Sequence, residues 1–337
     1  MMKLYKILFF NSMLIGTLIA ISSYSWLGMW MGLEINLLSI IPLMNSSKNS
    51  LSSEASLKYF ITQTLASLIL LLSIILMLIS SEFITPMMNL TFETLLNSAL
   101  LTKLGAAPFH FWFPEVMEGL NWINCTILLT WQKIAPMILL MNSQIQTKFL
   151  SIIIILSLVV STIMSINQIS LRKILAFSSI NHIAWMLSAL MTSFSIWMLY
   201  LTVYFIITAN LTLIFNYGKM FFISQIPSFI NQNKSIKLSL MMNFLSLGGL
   251  PPFLGFLPKW FTINWMIYSS FFLLSLILII MTLIMLFVYI RILMTSLIFS
   301  YSEPKLNLPS INLLIAFLIN FLTISSLISC TFLFNFL

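Results

Sequence analysis

The chain has very little charge, and its acidic residues are few and all of one kind. Only 7% of its 337 residues are charged, whereas 60% are hydrophobic, and all seven acidic residues are glutamates. A soluble protein carries roughly 25% charged residues. The composition therefore leaves too little polar surface to face water, which excludes a soluble globular domain.

Cysteine is equally scarce, since the chain contains only Cys125 and Cys330. An iron–sulfur cluster needs about four thiolates, and the predicted helices place these two cysteines near opposite membrane faces, too far apart for a disulfide. We interpret both as small buried apolar side chains. The sequence also lacks a glycine-rich phosphate loop, a cluster of metal ligands and a paired nucleophile and base.

What the chain does have is a series of apolar runs of about 20 residues, the length of a helix that crosses a bilayer. In lipid only helices and closed barrels satisfy their own backbone, and the runs lack the alternation of barrel strands. We predict an all-α polytopic membrane protein with about eleven transmembrane helices. The first run resembles a secretory signal peptide, but the many spans behind it favour a transmembrane helix. The predicted spans are 4–23, 25–43, 57–80, 92–110, 121–142, 149–168, 172–190, 195–218, 238–267, 271–299 and 312–335.

The net charge of +8 does not indicate binding to nucleic acid, because the basic residues lie singly or in pairs between apolar runs. If the predicted helices alternate in direction, one side of the membrane receives Lys148 alone. The other side receives Lys3, Lys6, Lys48, Lys58, Arg172, Lys173, Lys219, Lys234, Lys237 and Lys305. By the positive-inside rule, the N-terminus lies on the cytoplasmic-type or matrix side and the C-terminus on the opposite side.

Two predicted spans are interrupted by glycine and proline, at 103–114 and 248–260. Such breaks survive in hydrocarbon only where protein or a wet cavity lines them. Paired broken helices in inverted repeats are typical of ion-transport sites. We predict two inverted five-helix repeats, 1–142 and 149–299, each with a broken fourth helix, and a C-terminal helix 11 within 300–337. Ordinary proline kinks are the alternative.

Four ionisable residues lie inside the predicted spans or at a break: Glu34, Lys103, Lys133 and Lys259. A charge at mid-bilayer costs at least about 2.5–3.5 kcal/mol, so such residues indicate a function. Static ion pairs and snorkelling lysines are the structural alternatives. Burial disfavours the charged form of a lysine and a nearby carboxylate favours it. A lysine whose carboxylate partner approaches and retreats would therefore bind and release a proton.

The two histidines differ in their surroundings. His182 lies in the middle of a predicted span among polar neighbours, which fits either a proton relay or a hydrogen-bonded packing residue. His110 lies at the end of a broken helix, and we interpret it as structural.

Six segments of the sequence resemble one known family. They are WMGLEIN at 30–36, EASLKYF at 54–60, KLGAAPFHFW at 103–112, TWQKIAP at 130–136, LRKILAFSSINH at 171–182 and GGLPPFLGFLPKW at 248–260. In this order they resemble the subunit 2 family of animal mitochondrial NADH dehydrogenase, an antiporter-like family of membrane subunits in respiratory complex I. The resemblance covers residues 30 to 260, and the flanking segments agree in length and apolarity.

The resemblance implies roles for individual residues. Glu34 and Lys103 would form the ion pair of a first half-channel, and Lys133 would be the central lysine that links the two halves. Lys259 would be the exit-side lysine in the second broken helix, with His182 on the hydrated axis between Lys133 and Lys259.

The resemblance also implies the setting. It places the chain in the mitochondrial inner membrane, beside other membrane-arm subunits of complex I, sister antiporter-like subunits and lipids such as cardiolipin. NADH, FMN, iron–sulfur clusters and ubiquinone are expected in partner subunits, with no cofactor or metal in this chain. We therefore expect a proton-translocating subunit of NADH:ubiquinone reductase. A stand-alone cation/proton antiporter and a purely structural subunit are the rival hypotheses.

Overall fold

The structure is a computed structural model, which describes residues 4–46, 49–83, 86–143, 146–227 and 234–298, together with residues 321 and 325. Regular secondary structure in these residues is helical, and β-pairing there is limited to one bridge between Ser170 and Phe222. Eight helices in this part of the chain are long and apolar enough to cross a membrane. The predicted all-α polytopic membrane protein is confirmed.

The helices follow the apolar runs of the sequence closely. They are α1 (Leu4–Ser22), α2 (Trp26–Met44), α3 (Ser50–Phe83), α4 (Pro86–Leu104), α5 (Trp112–Gly119), α6 (Trp122–Leu129), α7 (Trp131–Asn142), α8 (Thr147–Ile166), α9 (Leu171–Thr192), α10 (Phe194–Gly218), α11 (Lys234–Gly248), α12 (Phe256–Tyr268) and α13 (Phe272–Ile298). A short 3₁₀ helix, Ile223–Gln225, follows α10.

Part of the prediction lies outside the described residues. This holds for Cys330 and, apart from residues 321 and 325, for the predicted helix 312–335. The basic residues Lys3, Lys48 and Lys305 also lie outside them.

Both predicted helix breaks are present. The first separates α4, which ends at Leu104, from α5, and the second separates α11, which ends at Gly248, from α12. Each break opens on a glycine with φ +77°, Gly105 in the first and Gly249 in the second. A positive φ is a conformation in which glycine is strongly preferred. The two breaks therefore begin with the same local geometry.

The structure contains a further interruption that was not predicted from the sequence. The predicted span 121–142 is divided into α6 and α7 at Thr130, whose backbone has φ −112° and ψ −73°. Pro136 lies six residues further on, where it lacks a backbone N–H and its ring crowds the carbonyl of Gln132. The Thr130 hydroxyl also donates to the Thr126 carbonyl at 2.6 Å, a contact that bends helices.

The chain divides into two compact units, Met1–Ile153 and Ile154–Leu337. The first contains α1 to α7, with the boundary inside α8, and the second contains α9 to α13. The repeat boundaries that we predict, 1–142 and 149–299 with a final segment 300–337, remain a prediction.

In the first unit, α1 and α2 pack closely through small residues. A Cβ on Gly32 would collide with the backbone nitrogen of Ala20 and would lie 2.7 Å from its Cα. A Cβ on Gly16 would lie 2.8 Å from the backbone nitrogen of Asn36. Small residues let membrane helices approach closely enough for backbone contact. This packing fixes the position of α2, which carries Glu34.

Candidate functional site

Lys103 lies in the last turn of α4, directly before the first break, and only 8% of the residue is exposed. The break exposes backbone carbonyls that a continuous helix would satisfy. Trp112 Nε1 donates to the carbonyl of Thr102 at 3.1 Å, and Gln63 Nε2 donates to the carbonyl of Lys103 at 3.5 Å. Side chains from α5 and α3 therefore stabilise the open end of α4 and hold Lys103 in place.

Lys103 lines a small cavity inside the first unit. The space open to the centre of a water molecule there is about 10 Å³, roughly what one water requires. The lining is mostly polar and consists of Leu33, Asn36, Leu37, Tyr59, Gln63, Lys103, Gln132 and Pro136.

One wall of this cavity is a reciprocal pair of amides. Asn36 Nδ2 donates to Gln132 Oε1 at 3.1 Å, and Gln132 Nε2 donates to Asn36 Oδ1 at 2.8 Å. Tyr59 donates to the same Gln132 oxygen at 3.5 Å. Asn36 is buried on α2, two residues after Glu34, whereas Gln132 immediately precedes Lys133 on α7. The amide pair therefore joins the helices that carry two of the predicted site residues.

Glu34 is half-buried on α2, and its charge acts on Lys103 through space. The two side chains nevertheless do not form a closed ion pair. Ion pairs within 4.0 Å are found elsewhere in the described residues, where Lys58 pairs with Glu54 and with Glu115. The structure thus brings Glu34 and Lys103 into electrostatic range without direct contact.

Lys133 is deeply buried, with only 2% of the residue exposed. It lies in the first turn of α7, three residues after the interruption at Thr130, and its backbone N–H donates to the Thr130 carbonyl at 3.2 Å. A buried amine is costly to charge.

Lys259 lies in the first turn of α12, after the second break, and is 7% exposed. Its ammonium reaches back across the break and donates to the carbonyls of Leu247 and Gly248, both at 3.0 Å. These are carbonyls at the C-terminal end of α11. The sequence indicated charged partners for the buried lysines, and these backbone acceptors were not predicted.

His182 is buried in the middle of α9, in the same compact unit as Lys259, with 5% of the residue exposed. Its Nδ1 lies 2.8 Å from the hydroxyl of Tyr200 on α10, and its ring lies 5.0 Å from that of Tyr204. Both groups at the 2.8 Å contact can donate or accept a hydrogen bond. The geometry thus fits the relay and the packing interpretation alike.

His110 is buried at the first break, where its Nδ1 lies 3.3 Å from the carbonyl of Pro108. Cys125 is also buried, with its Sγ 3.7 Å from the carbonyl of Met117. Within the described ranges, no group of three or more histidine, cysteine or acidic side chains is arranged to hold a metal ion.

The first unit holds Glu34, Lys103 and Lys133, and the second holds His182 and Lys259. Sequence reasoning missed the neutral residues of the site, above all Asn36, Gln132 and Tyr200. The sequence does carry a signal for Asn36 and Gln132, because each is an amide side chain inside a predicted apolar span. Burying an amide costs free energy unless it forms hydrogen bonds, so each of these residues is expected to have a hydrogen-bond partner.

The fold and the buried ionisable side chains define an antiporter-like membrane protein. Residues 23–285 match the family described as NADH:quinone oxidoreductase/Mrp antiporter, transmembrane, and the chain belongs to this family.

Two similar proteins from insects confirm the predicted resemblance. NADH-ubiquinone oxidoreductase chain 2 of Anopheles gambiae is 50% identical over 309 residues, covering 91% of this chain and 88% of that protein. The same chain of Aedes aegypti is 48% identical over 336 residues, covering 98% of each.

Solved structures show the same fold. A chain of respiratory complex I from Thermus thermophilus superposes with a TM-score of 0.89 at 21% identity, over 97% of this chain and 78% of that one. A chain of the Mrp complex from Dietzia superposes with a TM-score of 0.80 at 15% identity, over 95% of this chain and 73% of that one. The predicted antiporter-like fold is therefore confirmed.

Proposed function

We propose that this chain is a proton-translocating membrane-arm subunit of respiratory complex I. The observation that carries the proposal is the arrangement at the first break. There Lys103 lines a polar cavity, within electrostatic range of Glu34 but not in contact with it. An approach of Glu34 would favour the charged lysine, and its retreat would favour release of the proton.

The energies involved are of matching size. Moving one charge across about 150 mV requires roughly 3.5 kcal/mol. Making or breaking one buried ion pair changes the free energy by about 3–5 kcal/mol. Closing and opening a single Glu34–Lys103 pair is therefore enough to drive one proton against such a potential.

The relay then continues through Lys133 to Lys259. Lys133 is the central lysine, and the interruption at Thr130 gives its helix a point at which it can move. His182, hydrogen-bonded to Tyr200, passes a proton within the second unit towards Lys259. Each of these side chains is buried, so water reaches it only through the protein.

The setting follows from the same proposal. NADH oxidation, FMN, iron–sulfur clusters and ubiquinone reduction belong to partner subunits, and this chain contributes no redox centre. Its neighbours are other membrane-arm subunits, including sister antiporter-like ones, and lipids such as cardiolipin. The membrane is the mitochondrial inner membrane, with the N-terminus on the matrix side and the C-terminus facing the intermembrane space.

Neutralising Lys103 tests the relay. In the Lys103→Met variant we expect fewer protons pumped per electron from NADH, because the site can no longer alternate in charge. Glu34→Gln should lower the same ratio by removing the partner. The matched controls are Lys148→Met and Glu54→Gln, which change exposed residues. A normal proton-to-electron ratio in Lys103→Met would rule out this relay.

The rival hypothesis of a stand-alone cation/proton antiporter is tested by native electrophoresis of mild-detergent membranes. We expect the chain, identified by mass spectrometry, to migrate with a very large NADH-oxidising assembly. Migration as a small species without NADH activity, together with cation–proton exchange by the isolated chain in liposomes, would favour the antiporter instead.

A further inference from the structure

The ammonium of Lys259 is held by the open end of a helix. Both carbonyls that accept its hydrogen bonds, Leu247 and Gly248, are at the C-terminus of α11, where no helical N–H is available to them. The C-terminus of a helix also carries partial negative charge, which favours a cation. The second break thus supplies both hydrogen bonds and an opposing charge.

Within the described part of its own unit, Lys259 has no carboxylate available. The sequence contains no aspartate or glutamate between residues 119 and 302, so the described part of the second unit is free of acidic side chains. Lys103 differs in this respect, because Glu34 acts on it from α2.

An aromatic ring provides the further stabilisation. The Nζ of Lys259 lies over the ring of Trp185, 5.7 Å from its centroid, within the range of a cation–π interaction. Trp185 is fully buried on α9, and its ring lies nearly parallel to that of Tyr200, with the two centroids 6.5 Å apart. The contact with Tyr200 therefore helps to fix the orientation of the tryptophan.

Gly249 leaves the space that the lysine occupies. A Cβ at this position would lie 2.8 Å from Lys259 Cδ and 2.9 Å from Lys259 Nζ. Real Cβ atoms essentially never approach that closely, so any side chain at 249 would displace the end of the lysine. The glycine is thus needed for the lysine as well as for its positive φ.

The groups around Lys259 are otherwise neutral or basic. Helix α12 packs against α9, α10 and α13, and its lysine reaches the end of α11. The titratable or charged residues on these helices and on α12 itself are Arg172, Lys173, His182, Tyr200, Tyr204, Tyr217, Lys234, Lys237, Tyr268, Tyr289 and Arg291. None of them supplies a negative charge at neutral pH.

We infer that Trp185 and Gly249 are positioning residues for the proton carrier Lys259, whose charge is stabilised by helix carbonyls and an aromatic face in place of a carboxylate. The inference rests on the proposed function. The two breaks then stabilise their lysines differently. At the first break the partner is a carboxylate that moves, Glu34, whereas at the second the partners are fixed, namely the carbonyls of α11 and the ring of Trp185. A fixed partner suits a terminal carrier that releases its proton to water.

The test compares two buried tryptophans in the assembled complex. Trp185→Leu removes the ring beneath Lys259, whereas Trp197→Leu removes a ring of equal size that is equally buried on α10. The measurement is the number of protons pumped per electron as a function of pH. We expect Trp185→Leu to shift the alkaline limb of this pH profile to lower pH by about one pH unit, because the charged lysine is less stabilised. Trp185→Phe should shift it less, and Trp197→Leu should leave it in place.

Gly249→Ala provides a second test, with Gly105→Ala as its control. Both glycines have φ +77°, so both variants carry the same backbone strain. A Cβ at Gly105 would meet the Phe113 side chain at 3.3 Å instead of a lysine. We expect the alkaline limb to move to lower pH only in Gly249→Ala.

The Lys259→Gln variant distinguishes a failure of the proposed relay from a failure of the positioning role alone. If this variant pumps a normal number of protons per electron, the proposed relay is wrong and the positioning role falls with it. If it pumps fewer, but Trp185→Leu gives the same profile as Trp197→Leu, the relay stands and the positioning role is refuted.

Discussion

The amide pair between Asn36 and Gln132 offers the sharpest stability prediction. In the Gln132→Leu variant, the buried Asn36 amide loses the partners of both its donor and its acceptor. A buried group left unsatisfied costs about 1–3 kcal/mol. We therefore expect α2 and α7 to open locally with a free energy lower by about 2 kcal/mol, or roughly 30-fold more often.

Hydrogen–deuterium exchange of the assembled complex measures this opening. Peptides from α2 and α7 should exchange faster in Gln132→Leu and in Asn36→Leu, and peptides from α13 should not change. The double variant should be clearly milder than the sum of the single ones, because no orphaned amide remains. Strict additivity, or unchanged exchange in the single variants, would refute the reasoning.

Two further predictions concern the helices that carry the site. Gly32→Ala places a Cβ against the Ala20 backbone, so we expect α1 and α2 to separate at a cost of about 1–3 kcal/mol. The yield of assembled complex on native gels should therefore fall. The control is Gly28→Ala, whose Cβ would meet only the side chains of neighbouring serines, Ser23 among them at 3.0 Å, and which should assemble normally. Pro136→Ala restores an N–H that can bond to the Gln132 carbonyl, so we expect normal assembly but fewer protons pumped per electron. An unchanged ratio of protons to electrons would contradict a role for the helix interruption at Thr130.

The helix breaks were predictable from sequence because their cause is local. Proline lacks an N–H whatever surrounds it, and Gly105 and Gly249 favour a conformation that other residues avoid. The interruption at Thr130 was not predictable in the same way. A single proline inside a helix either kinks it or is accommodated, depending on the neighbouring helices.

The partners of the charged residues were harder to predict. Asn36 and Gln132 are 96 residues apart, and one sequence does not reveal which distant helices face each other. For Lys259, the expected counter-charges were side chains. The actual acceptors are backbone carbonyls, which carry no sequence signal apart from the glycines that expose them.

The central claim is that buried lysines carry protons through this chain, and Lys133 tests it most directly. The measurement is the number of protons pumped per electron in Lys133→Gln, with the exposed Lys148→Gln as the matched control. The account predicts a lower ratio in Lys133→Gln at an unchanged amount of assembled complex, and a normal ratio in Lys148→Gln. A normal ratio in Lys133→Gln, or a loss that only reflects failed assembly, would contradict the account.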